Sequence, residues 1–120
     1  MSDDAWDETK PIYTQLRDRV LNGIVSGALA EGEAVPSVRQ VAASEKINPI
    51  TVSRAYQMLV DEELLEKRRG LGMFVREGAQ QRAMEREREL FLGEEWPQIK
   101  ARIAMLGLDL PTLLREKESS

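Results

Sequence analysis

Apolar residues recur at four-residue spacing early in the chain, Ile12, Leu16, Val20 and Ile24, with Tyr13 and Leu21 beside the stripe. This spacing predicts an amphipathic helix whose first turn holds Pro11 and which ends near Gly27. In "EGEAVPS", Gly32 marks a turn, Glu33 to Val35 suit a very short strand, and Pro36 disfavours a helical start before Ser37. Ser37 and Gln40 have the spacing of a capping box, and Val38, Val41 and Ala42 give the second helix an inward face over about two and a half turns. "KIN" interrupts it, with Ile47 expected to fill the gap between helices. Asn48 then suits an N-cap and Pro49 the first helical position. Val52, Ala55, Tyr56 and Leu59 follow at i, i+3, i+4 and i+7, so the third helix should run to about Glu62.

The period then changes. Residues from Leu65 alternate as a strand, "RGLG" is a glycine-permitted turn, and Met73, Phe74 and Val75 form the returning strand: a hairpin with a basic tip. From Ala79 the pattern is helical again, with Arg82/Glu85, Glu85/Arg88 and Arg86/Glu89 at i, i+3 on a solvated face. Gly93 and Pro97 are expected to bracket a break. Beyond it Trp96, Ile99, Ile103 and Leu106 line one face of a helix ending at Gly107, and Asp109 and Pro111 open a last short helix carrying Leu113 and Leu114. The fold class expected is mainly α with a small β-wing. It comprises a winged helix-turn-helix domain over 1–77 and a C-terminal helical dimerisation tail over 78–120.

Composition narrows the chemistry. The 120 residues include no Cys and no His, which removes disulfides, thiolate chemistry, the commonest metal ligand and the commonest general base near neutral pH. No nucleophile–base pair, phosphate-binding glycine loop or metal-ligand set is discernible, so an enzyme, a metal and a cofactor are not expected. Without a long apolar run, and with an acidic opening "MSDDAWDE", no membrane association is expected and the location is read as cytoplasmic. The formal charge of −4 argues against a nucleic-acid partner only if it is spread evenly. It is not: residues 37–76 hold Arg39, Lys46, Arg54, Lys67, Arg68, Arg69 and Arg76, and four of the segment's acids fall together in "DEELLE".

The third helix spends its first turn on polar groups although its later turns are apolar. A helix that meets the major groove end-on requires this, because its inward positions pack while its first-turn outward positions meet phosphates and base edges. Asn48, Thr51 and Ser53 can donate to phosphates beside the positive end of the helix, and Arg54 or Arg39 can reach a guanine edge. Arg68 and Arg69 at the wing, with glycines that let the backbone come close, would enter the minor groove or clamp its phosphates. Lys46 and Arg76 are read as solvated, and Glu63 and Glu66 should point away from phosphate. The plainer alternative makes Asn48, Thr51 and Ser53 caps and surface polar groups.

Pro11 to Val75 resembles the winged helix-turn-helix domain of the GntR superfamily of bacterial transcription regulators, through "PIY", "SGAL.EGE..PSVRQ.A", "NP.TV.RAY..L" and "RRG.G.FV" in one chain. The resemblance implies DNA contacts from Arg39, Asn48, Thr51, Ser53, Arg69 and Gly70, with Ser37 and Arg54 at positions that touch phosphate. Two departures stand out. Met73 replaces a customary hydroxyl residue, and "EKIN" replaces a glycine-containing turn. The tail is similar to that of the YtrA-type branch, where it serves dimerisation. Leu90, Phe91, Trp96, Ile99, Ile103 and Leu106 are more apolar surface than so short a tail hides alone, so they are expected to meet a second copy. The alternative is packing on the first helix. The function expected is a homodimeric repressor on an inverted-repeat operator in double-stranded DNA. The alternative is a winged-helix module that binds another protein.

Overall fold

A computed structural model describes residues 6–119; the acidic opening residues 1–5 and residue 120 lie outside it. Two compact units divide the chain, 1–84 and 85–120.

The first unit opens with α1 (Ile12–Ser26), which buries Leu16, Val20, Leu21 and Ile24; Pro11 is its N-cap rather than a first-turn residue, and Gly27 ends it in the left-handed conformation. Helices α2 (Val38–Glu45) and α3 (Pro49–Asp61) form the helix-turn-helix. Val52, Ala55, Tyr56 and Leu59 lie along the buried side of α3, where α1 and α2 pack on it. Two ion pairs tie the helices together. Arg17 of α1 clasps Glu62 with Nε 2.9 Å from Oε1, and Arg19 reaches Glu45 at 3.4 Å.

Antiparallel β1 (Leu65–Arg68) and β2 (Gly72–Val75) form the wing, with Leu65 opposite Val75 and Arg68 opposite Gly72. The expected strand at Glu33–Val35 is a single bridge, Ala34 to Phe74, flanked by Val35 N–H donating to Met73 (2.9 Å) and Val75 N–H donating to Glu33 (2.9 Å). The wing is thereby stitched to the loop that leads into α2. Helix α4 (Ala79–Leu90) begins in the first unit, where Ala79 and Ala83 are fully buried in the shared core.

In the second unit the break expected between Gly93 and Pro97 does not form. Residues Phe91–Glu95 make a π-helical stretch that runs into α5 (Trp96–Met105), with Trp96 N–H donating to Phe91 C=O five residues back. A proline ring collides with the carbonyl four residues earlier in an α-helix, here that of Gly93; a wider turn removes the collision and keeps the chain helical. Helix α6 (Leu110–Ser119) follows, its start capped by Asp109 Oδ2 accepting from Thr112 N–H (3.1 Å). Among the described residues, no helix is long and apolar enough to cross a membrane.

Candidate nucleic-acid interface

The start of α2 is held by the expected capping box: Ser37 Oγ accepts from Gln40 N–H (3.0 Å) and Gln40 Oε1 accepts from Ser37 N–H (2.8 Å). Because Oγ is the acceptor in that bond, the Ser37 hydroxyl keeps its own hydrogen for donation to another group. At the start of α3, Asn48 Oδ1 accepts from Ile50 N–H (2.9 Å), which leaves the Asn48 amide NH2 as an exposed donor. Ser53 and Arg54 are exposed and Thr51 is half-buried.

Tyr56 joins the two helix starts. It is 1% exposed, and its hydroxyl donates to the Pro36 carbonyl at 2.5 Å, one residue before the cap of α2. Burial pushes its pKa up to about 12.

A concavity of about 300 Å³ is lined by Ser37, Val38, Ser53, Tyr56, Gln57, Lys67, Gly72 and Met73. The start of α2, the outer side of α3 and the wing therefore share one surface. Arg39 flanks a neighbouring shallow groove with Pro49 and Ile47, between α2 and the beginning of α3. Among the described residues, no hydrogen bond or ion pair engages the side chain of Arg39, Lys67 or Arg69.

Arg54 and Arg68 are placed differently. The Arg54 guanidinium lies over the Tyr13 ring of α1 at 3.9 Å. Arg68 is paired with Glu66 (2.9 Å) and lies over Phe74 at 4.2 Å. Strand pleating explains the second case: Leu65 and Lys67 share one face of β1, toward the core and the groove, whereas Glu66 and Arg68 share the other. On that other face Arg68, Arg76 and Arg82 line a separate concavity of about 550 Å³ with Glu31, Glu66 and Glu77.

Sequence reasoning passed over Lys67 and Gln57. Counting alternate positions from the buried Leu65 points to Lys67, and the i+4 step from Ser53 points to Gln57. The acidic cluster after α3 is largely internally satisfied: Asp61 accepts from Gln57 Nε2 (2.9 Å), Glu62 binds Arg17, and Glu66 binds Arg68.

At the wing tip, Gly70 has φ +77° and Gly72 has φ +112°, which a side chain rarely tolerates. Arg69 stands beside them, exposed. Met73 is half-buried against the core, so the position that customarily carries a hydroxyl contributes packing here. Lys46 takes the left-handed conformation (φ +56°, ψ +48°) that a glycine would adopt at no steric cost, and this closes the turn between α2 and α3 without one. The turn is preserved at the cost of local strain.

The second unit shows no core among its described residues. None of its described side chains is buried, and Leu90, Phe91, Ile99 and Leu106 are all exposed. Trp96 and Ile103 are half-buried, Trp96 stacking on Phe91 with ring centroids 6.2 Å apart.

Comparison with known proteins gives consistent matches. The family profile described as "Bacterial regulatory proteins, gntR family" matches residues 12–75. The uncharacterized HTH-type transcriptional regulator YhcF of Bacillus subtilis is 37% identical over 78 residues, which cover 65% of this chain and 64% of that protein. The HTH-type transcriptional repressor YtrA of the same organism is 38% identical over 69 residues, covering 58% and 53%. The chain thus spans between about half and just under two-thirds of the length of these relatives. A solved GntR family transcriptional regulator from Listeria monocytogenes superimposes with a TM-score of 0.75 at 25% identity, over 96% of this chain and 99% of that one.

Proposed function

The chain belongs to the gntR family of bacterial regulatory proteins, and from that premise we propose that it is a DNA-binding transcription regulator, a homodimeric repressor acting on an inverted-repeat operator in the bacterial cytoplasm. The observation that carries this reading is the groove in which Ser37, Ser53 and Lys67, from three different elements, line one concave surface. In the proposed complex the start of α3 enters the major groove. Asn48, Thr51, Ser53 and Ser37 donate to phosphates, and Arg39 reaches a base edge or the adjoining backbone. Arg69, Gly70 and Lys67 bring the wing against the neighbouring groove. Arg54, stacked on Tyr13, has lower freedom and serves as supporting charge near the phosphates, whereas Arg68, paired with Glu66 over Phe74 on the face of β1 turned from the groove, braces the wing.

Dimerisation through the second unit is supported by its lack of any buried described side chain. A second copy that covers Leu90, Phe91, Trp96, Ile99, Ile103 and Leu106 would supply the missing core. Two-fold pairing calls for a two-fold operator, with half-sites about one helical turn apart. The repressor sense is supported by similarity to YtrA of Bacillus subtilis, itself named a repressor.

Selection from a random pool of duplexes tests the reading. Convergence on an inverted repeat is expected, and a pool that never converges would refute sequence-specific binding.

A further inference from the structure

Two large apolar side chains stand exposed in the described part of the first unit, Ile50 at 75% and Leu71 at 71%. Ile50 lies in the first turn of α3 and Leu71 at the tip of the wing, so both sit on the elements assigned above to the DNA. Elsewhere in that unit the large aliphatic side chains are buried or half-buried.

Neither helix formation nor capping calls for an isoleucine at position 50. Its backbone N–H is already bonded to Asn48 Oδ1 (2.9 Å), so nothing but its side chain is offered outward, and β-branching makes isoleucine a poorer helix former than alanine. Around it are the polar groups of Asn48, Ser53 and Arg54, all exposed. An aliphatic group in that company gains only by meeting another apolar group. On the base edges of the major groove the apolar group on offer is the C5-methyl of thymine.

We propose that Ile50 is a specificity residue that reads a thymine methyl in each half-site, an assignment that rests on the DNA-binding function proposed above. The polar first-turn groups set register on the backbone, and Ile50 converts that register into a preference for thymine at one position.

The test uses the full chain and the duplex enriched in the selection, with each dT replaced singly by dU, which keeps the base pair and removes only the methyl. Binding is followed by fluorescence anisotropy. For the unaltered protein one dT per half-site should respond, its replacement weakening binding about fourfold, the worth of one methyl withdrawn from water. Ile50→Ala should bind the dT and dU duplexes equally, and Ile50→Val should still distinguish them. An enriched duplex in which no dU replacement matters, or one that Ile50→Ala distinguishes as well as the unaltered protein does, overturns the assignment of Ile50 and leaves DNA binding standing. Failure to enrich any duplex overturns both.

Discussion

The bond from Tyr56 to Pro36 offers the sharpest check on how the surface is assembled. Tyr56 is fully buried, and its hydroxyl donates at 2.5 Å to a carbonyl adjoining the cap of α2, so replacing it with Phe removes one non-local tie without changing the packing volume much. A neutral hydrogen bond contributes about 1 kcal/mol net, and a carbonyl stranded away from water costs up to about 3 kcal/mol. Pro36 itself is exposed, so water can reach its carbonyl, and the loss for Tyr56→Phe should stay near 1–1.5 kcal/mol. For a unit of this size that corresponds to a fall in Tm of about 4–12 °C, measurable by circular dichroism at neutral pH.

The pH dependence has a definite sign. Burial raises the folded-state pKa of Tyr56 to about 12 from its ordinary value of 10.0. The folded state thus holds the phenolic proton more tightly than the unfolded chain does. The stability linked to it is fully present below pH 10 and is lost as pH climbs through 12. The Phe variant has no such group, so the gap between the two proteins should narrow above pH 10. A variant that melts within a degree of the parent, or a gap that stays constant to pH 12, would refute the assignment of Tyr56 as the buried donor.

Further outcomes follow from other parts of the fold. Lys46→Gly should relieve the left-handed strain in the turn and raise stability by about 0.5–1 kcal/mol after the extra unfolded-state entropy of glycine is subtracted, seen as a higher denaturant midpoint at unchanged slope. The double change Arg39→Ala, Arg69→Ala should weaken binding to the selected duplex and flatten the plot of log K against log salt by about 4, one for each phosphate-region cation that the two protomers together lose; an unchanged slope would place both arginines off the interface. Ile99→Glu puts a charge into the exposed apolar face of α5 and should give a monomer in analytical ultracentrifugation at concentrations where the parent is a dimer, with the first unit's thermal unfolding retained.

The helix-turn-helix was legible in the sequence because its signals are local. Ser37 and Gln40, or Asn48 and Pro49, announce helix starts within one turn of chain, and the four-residue stripe of α1 announces its buried face. Site details were less legible where they depend on contacts distant in sequence. Arg54 reads as an outward cation until Tyr13, from another helix, is placed under it. Arg68 and Lys67 look equivalent in "EKRRG", yet pleating sends one toward Glu66 and the other toward the groove. At Gly93 and Pro97 two residues that ordinarily end helices were met by a π-helical turn, a rare solution with no simple sequence signal. The burial of Ala79 and Ala83 was hidden because small residues contribute little to an apolar stripe.

In the proposed complex the starts of α2 and α3 and the wing act as one DNA-facing surface. Titrating the selected duplex into isotopically labelled protein and following backbone amide shifts by NMR maps that surface residue by residue. The largest shifts are predicted at residues 37–39, 48–53 and 67–72. Shifts concentrated in the second unit, or around Glu31, Glu77 and Arg82 behind the wing, would contradict it.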